Sequence, residues 1–325
     1  MHLMRASFVN RLFVFAFPII PATLLAISLG ERNPPVRPAD ADSPTLIWDI
    51  DLKLANALPR NFRTTDDPLR ESKGETLTTT GLGDLRASGS GEFTPEGLKL
   101  LSVRTRGPVT VFDLRQETHI FVNHLPVSWY ATNDWANVGR TQSAIEADET
   151  ARVQSFKAGR EIIVWPGQPL KKGKAGSATS QRVTVDSAST ERDVVGTAGA
   201  SYVRLTVTDH ARPLDDEVDR FVLAVRALPE NAWAHFHCEA GLGRTTTFMV
   251  LYDLLRNASR VSLEDIVARQ KILSRGYDVL QPVGDWRAPY MANRTAFIRA
   301  FYDYAHANPN GRPQLWSDWL KSGAQ

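Results

Sequence analysis

Apolar positions along this chain follow two rhythms that alternate every few dozen residues. Short runs read as strands: Val109 to Leu114 in GPVTVFDLRQE, REIIVW at 160–165, YVRLTVTDH at 202–210 and AWAHFHC at 232–238. Between and after them the spacing lengthens to three and four. Val218, Phe221, Val222, Val225 and Leu228 mark a helix over 215–228, and Phe248, Leu251, Leu254 and Leu255 mark another over 244–256. SLED at 262–265 sets Ser262 at a helix cap with Asp265 three residues on, opening a helix through IVARQKIL. Phe297, Ala300, Phe301 and Tyr304 stripe a last helix over 293–306. The stretch 74–97 is turn-rich with short strand candidates, and PGQPLKKGKAGSATS is loop. Strands followed by helices predict an α/β fold, a mainly parallel sheet flanked by helices, with extra strands in the N-terminal half.

The N-terminus follows neither rhythm. Arg5 and Arg11 precede an uncharged stretch, Leu12 to Gly30, in which Ala26 and Ser28 stand at cleavage spacing. This predicts a signal peptide over 1–30, a linker over 31–44 and one domain over 45–325. An uncleaved N-terminal anchor is the alternative, and either puts the domain outside the cytoplasm, secreted or periplasmic. The 325 residues are 42% hydrophobic and 23% charged with a formal net charge of +2, which loss of Arg5 and Arg11 brings to zero. Nothing global then draws the protein to nucleic acid, or to a membrane beyond that anchor. A bound anion must be met by a local cluster. The single cysteine excludes an internal disulfide, so the fold rests on its core.

That cysteine stands in HCEAGLGRTTT, 237–247, between a predicted strand and a predicted helix. Gly241 and Gly243 permit positive φ, so the N–H groups of Glu239, Ala240, Gly241, Leu242 and Gly243 can curl toward one point. The N-terminus of the following helix faces the same point and favours an anion. Arg244 adds a guanidinium fork suited to two phosphoryl oxygens. A thiolate within a phosphate cradle is equipment for attack on phosphorus, which makes Cys238 the candidate nucleophile. A Walker loop needs Gly where Cys238 stands and Lys where Arg244 stands, and a dinucleotide fingerprint needs Gly in place of Thr246. His235 and His237 share a strand face beside Cys238, but no second ligand cluster accompanies them, so no metal is expected. A departing alkoxide needs a proton. Asp209, in TVTDHARP, ends a strand upstream, and parallel strands deliver their C-terminal loops to one edge. Whether Asp209 is the acid or a turn residue is left open by its position alone.

HCEAGLGRT with an upstream TDHxxP resembles the cysteine phytases, the protein-tyrosine-phosphatase-like inositol phosphatases. The likeness extends to LPRNFR at 58–63, DLRQETHIFVN at 113–123, VSWYATNDWAN at 127–137, RTTTFMVLYDLL at 244–255, IVARQ at 266–270 and WSDWLKS at 316–322. The resemblance implies removal of phosphate from myo-inositol hexakisphosphate and lower inositol polyphosphates through a phosphocysteine, with no cofactor. It implies Cys238 as nucleophile, Arg244 on the transferring phosphoryl group, Asp209 as acid then base, and Thr245 steadying the departing thiolate. It also implies rim contacts to further phosphates from Arg63, Arg287, His210, Asp134 and Lys171. Glu239 and Leu242 are not basic, unlike the lysines that lipid-inositol phosphatases carry in a related loop, which leaves the cations to the rim. Trp129, Tyr130 and Trp135 are expected on the side wall of the site, and Trp316 and Trp319 docked on the core. A protein-tyrosine or dual-specificity phosphatase shares the loop chemistry and is the alternative.

Overall fold

The computed structural model describes residues 44–69, 77–167 and 179–323. The expected signal segment, nearly all of the linker and Lys171 lie outside the described residues. Among the described residues no helix is long and apolar enough to cross a membrane.

The strands in chain order are β1 (Thr45–Trp48), β2 (Arg63–Thr64), β3 (Ala87–Ser90), β4 (Val109–Asp113), β5 (His119–Val122), β6 (Leu125–Tyr130), β7 (Glu161–Pro166), β8 (Gln181–Thr184), β9 (Ala188–Ser189), β10 (Ser201–Arg204) and β11 (Trp233–His237). The helices are α1 (Pro95–Thr105), α2 (Gln142–Ser155), α3 (Glu191–Thr197), α4 (Asp215–Arg226), α5 (Gly243–Asn257), α6 (Leu263–Leu273), α7 (Ala288–Ala307) and α8 (Trp316–Lys321).

One sheet has the order β10-β4-β11-β3-β2 and is parallel except at its β2 edge. Its alternating side chains feed two cores. Phe112 and Phe236 pack with Phe221 of α4 and Phe248 of α5, while Val109, Val111 and Trp233 pack with Leu98 and Leu101 of α1. Burial of both faces is why β4 and β11 carry apolar residues at both parities, with Thr110, Asp113, His235 and His237 the buried polar exceptions. Trp316 docks α8 against Phe297, Phe301 and Tyr304 of α7, with Trp319 stacked on it.

The second sheet, β8-β7-β1-β6-β5-β9, is antiparallel at every pairing but β1 with β7, and here the parallel expectation needs correcting. REIIVW belongs to this sheet. Ile162 and Val164 are buried while Glu161 and Ile163 face water, the alternation of a one-sided sheet. The run 202–210 is also shorter as a strand than its composition predicts. β10 stops at Arg204 because its neighbour β4 stops at Asp113, and the chain continues outside regular structure, with the Val207 N–H turned back onto Leu205 O at 2.9 Å.

Register sets the position of the site. Ser90, Asp113 and His237 lie side by side at the C-terminal ends of β3, β4 and β11, with Arg204 beside Asp113. The loops after these strands therefore leave one edge together.

Candidate active site

The loop after β11 closes around sulfur. Cys238 is buried, and its Sγ accepts hydrogen bonds from Thr245 Oγ1 at 3.1 Å and from the Gly241 N–H at 3.3 Å. Two donors thus converge on one sulfur. Gly241 has φ +76°, and a Cβ there would lie 2.2 Å from the Gly91 nitrogen, so glycine is required. Gly243 does not use positive φ, contrary to expectation. It begins α5, and a Cβ there would make only an ordinary contact with the Tyr277 hydroxyl at 3.4 Å. The first N–H groups of α5 have no intrahelical acceptor and supply the anion-attracting end.

Arg244 is held more firmly than its sequence position suggests. Its Nη1 and Nη2 donate to the two carboxylate oxygens of Glu117 at 2.6 and 2.9 Å, and Nη1 also donates to Val207 O at 3.2 Å. The terminal fork is thus committed to protein. The Nε edge is what remains, 3.1 Å from Asp209 Oδ1 in an ion pair outside hydrogen-bond alignment. Burial opposes the charge of Arg244, but Glu117 and then Asp209 hold its proton more tightly than usual. Asp209 Oδ2 lies 3.1 Å from His210 Nε2, and Trp135 Nε1 donates to Asp209 O at 3.0 Å. Burial lowers the pKa of His210, so a neutral imidazole faces the carboxylate at neutral pH.

A cleft of about 380 Å³ opens beside these groups, with Tyr130 and Asn133 on its wall. Asp134, Asp209, Glu239 and Asp285 line it against His210 and Arg287. Arg287 is pinned by Asp285, with Nε 3.0 Å from Oδ1 and Nη2 2.6 Å from Oδ2. Trp135 and Trp286 meet edge to face at 5.4 Å beside the cleft. Trp129 is elsewhere, packed on Phe156 and under Arg152 in the second sheet. Arg63 also departs from its expected rim position. It is 3% exposed beneath the loop, with Nη1 donating to Gly241 O at 2.8 Å and Nη2 to Thr246 Oγ1 at 2.9 Å. β2 carries it inward because Arg63 pairs with Gly89 on β3.

Behind the loop lies a buried ionic cluster that the sequence reading did not single out. Arg115 Nη1 donates to Asp49 at 2.9 Å and to Glu92 at 2.6 Å, and its Nε donates to Glu117 at 2.9 Å. Arg204 joins Asp113 at 2.9 Å and Glu149 at 3.0 Å. His119 Nδ1 donates to Glu117 O at 2.9 Å, and its Nε2 lies 2.9 Å from Glu191 Oε2. Glu191 Oε1 is 2.8 Å from His237 Nε2. Burial would lower the pKa of His237, but the charge and hydrogen bond of Glu191 together with the charges of Glu92 and Asp113 outweigh it and raise it to about 9. Burial and then Glu191 push Glu92 up to about 7. The alternation Asp113, Arg115, Glu117, His119 between two apolar runs was the available signal, since charges at period two entering a strand share one face.

Asp113, His119 and Glu191, and likewise Glu92, Glu191 and His237, bring metal-ligand atoms within 4.8 Å of one another. Arg204 already sits on Asp113, and Arg115 on Glu92, where a cation would compete. His235 faces neither triad, since Ser88 and Ser90 hold its two ring nitrogens at 3.0 and 3.2 Å. Burial keeps it neutral.

The family model PTPlike_phytase, described by the words inositol hexakisphosphate, matches residues 112–256. A protein-tyrosine-phosphatase-like phytase from Bdellovibrio bacteriovorus is 41% identical, with a TM-score of 0.72 over 89% of this chain and 99% of that one. The protein-tyrosine-phosphatase-like myo-inositol phosphatase from Mitsuokella multacida, solved with myo-inositol-(1,3,4,5)-tetrakisphosphate, is 34% identical. Its TM-score is 0.78 over 88% of this chain and 50% of that one. Effector protein hopD2 of Pseudomonas syringae pv. tomato is 36% identical over 264 residues, 79% of this chain. The chain spans 56% of that relative's length.

Proposed function

The chain belongs to the protein-tyrosine-phosphatase-like phytases, which are cysteine-dependent inositol phosphatases, and from that premise we propose a substrate and a mechanism. The substrate is myo-inositol hexakisphosphate together with lower inositol polyphosphates. Cys238 Sγ attacks phosphorus, the bond from phosphorus to the ring oxygen breaks, and Asp209 gives its proton to that oxygen. Water then attacks the phosphocysteine, Asp209 takes the water's proton, and sulfur leaves as a thiolate that Thr245 and Gly241 stabilise. Arg244, squared up by Glu117, offers its Nε edge to the phosphoryl oxygens throughout. The observation that carries the reading is the sulfur with two donors beside an arginine whose free edge meets a carboxylate.

The decisive experiment is phosphate release from phytate by the wild type, Cys238→Ser and Asp209→Asn, with the product isomers resolved. Activity retained in Cys238→Ser ends the proposal. The N-terminal segment supports a secreted or periplasmic location, and detection of mature protein beginning at Met1 in the cytoplasm would refute it.

One observation favours the protein-phosphatase alternative. Among the described residues, four carboxylates in the cleft face one arginine and one histidine, a poor setting for a ring bearing many phosphates. A kcat/KM for phosphotyrosine peptides that equals or exceeds the value for phytate would decide for it.

A further inference from the structure

A phosphate cradle works only if its backbone is turned the right way round. Each peptide unit points its N–H and its C=O in opposite directions, so amides that face inward send their carbonyls outward. Those carbonyls then need donors. In this loop the donors come from one short segment far away in sequence, 60–63, whose residues are Arg60, Asn61, Phe62 and Arg63.

The pairing runs in order. Arg60 Nη2 donates to Glu239 O at 3.1 Å, Asn61 Nδ2 to Ala240 O at 2.9 Å, and Arg63 Nη1 to Gly241 O at 2.8 Å. Three successive carbonyls are held by three side chains of one tetrapeptide. The Glu92 N–H adds a second donor to Glu239 O at 3.0 Å. The tetrapeptide is itself anchored. Gly91 donates to Arg60 O at 2.7 Å, and Arg63 pairs through β2 with Gly89 on β3. Asn61 takes positive φ, at 57°, which turns its side chain onto the loop. Arg63 reaches past the loop to Thr246 Oγ1 on the first turn of α5, so one guanidinium ties the cradle to the helix end.

We propose that the segment 60–63 is a strap that positions the phosphate-binding amides by holding the outward carbonyls of Glu239, Ala240 and Gly241. Arg60, Asn61 and Arg63 are positioning residues, and Arg63 acts from beneath the loop without touching substrate. The inference rests on loop 238–244 being the phosphate-binding loop of the proposed function. Strap residues do not select the substrate. They set the direction of the dipoles that meet charge developing on phosphorus, so their loss falls more on kcat than on KM.

The test uses the full chain, with p-nitrophenyl phosphate as substrate and inorganic phosphate as a competitive inhibitor. The variants are Asn61→Ala, Arg63→Met and Arg63→Lys, each first checked for folded content by circular dichroism. Asn61→Ala is expected to lose about tenfold in kcat, the worth of one hydrogen bond. Arg63→Met is expected to lose about 10²-fold, the scale of one misdirected oxyanion donor. KM should change less than kcat in both, phosphate inhibition should weaken in parallel, and Arg63→Lys should recover part of the loss. Folded variants with wild-type kcat and wild-type phosphate inhibition overturn the strap. If Arg63→Met does not fold, Asn61→Ala decides alone. Cys238→Ser in the same assay separates the two claims: activity there refutes the phosphate loop itself, whereas a dead Cys238→Ser beside unaltered strap variants refutes only the strap.

Discussion

The loop around Cys238 and the cluster behind it are both buried and both built from charge, yet they are finished differently. In the cluster, charge meets charge within the protein. Asp49, Glu92 and Glu117 share Arg115, Asp113 and Glu149 share Arg204, and Glu191 lies between His119 and His237. In the loop the donors converge on a sulfur, and the first N–H groups of α5 have no intrahelical acceptor. Arg244 belongs to both: its terminal nitrogens complete the cluster through Glu117, and its Nε edge faces Asp209, which lines the cleft. A closed network gives rigidity, and the open one inherits it. The cost of ordering the site is thus met within the fold before a ligand arrives.

If that division is sound, the two regions respond differently to substitution. Cys238→Ser should have the largest catalytic effect, a loss of about 10⁵-fold in kcat or more, with the midpoint of urea unfolding nearly unchanged. A large loss of stability there would mean that the loop supports the fold. Asp209→Asn should lower kcat by about 10³-fold on substrates with poor leaving groups. Its affinity for inorganic phosphate, measured by competitive inhibition, should hold or rise, because the carboxylate no longer occupies the Nε edge of Arg244. Weaker phosphate binding would contradict that competition.

Arg204→Met probes the closed side. It leaves Asp113 and Glu149 without their arginine, at a cost of about 3–5 kcal/mol in urea unfolding. The folded fraction should keep its kcat within about threefold, well inside the factor of ten that 1.4 kcal/mol represents. A greater fall would show that the cluster tunes the chemistry as well as supporting it.

The smallest effect lies away from both regions, at Glu217 under the start of α4, where its Oε2 accepts from the Leu214 N–H at 2.8 Å. Burial raises the pKa of Glu217 from 4.5 to about 8. The folded protein therefore keeps a proton that the unfolded chain releases between those values. The contribution of this group is complete below pH 4.5 and is lost as pH rises through 8. Glu217→Gln should then gain about 2 kcal/mol over wild type at pH 6 and almost nothing at pH 4, read from urea melts at each pH. An equal gain at both would exclude titration as the cause.

The chain's own pattern was enough to set β4, β11, α4 and α5 close to their observed bounds, because burial on two faces or along one stripe writes a strong local period. It also marked the loop between β11 and α5, since a glycine at φ +76° and a sulfur beside an arginine are requirements of local backbone and local charge. Cys238, Thr245 and Arg244 lie within one loop and one helical turn, so sequence proximity guarantees their meeting. Asp209 was reachable by the rule that parallel strands end at one edge.

The remaining features required the fold. Glu117 comes onto Arg244, Arg63 goes beneath the loop instead of to its rim, and Asn61 reaches Ala240 O across a separation of 179 residues. Trp129 turns from the site toward Phe156, and REIIVW joins the second, mixed sheet, parallel to β1 and antiparallel to β8. Local sequence encodes which residues are apolar, which backbone angles are allowed and which side chains carry charge. Which buried charge meets which, and which guanidinium is left with a free edge, depends on strand order and register between distant segments.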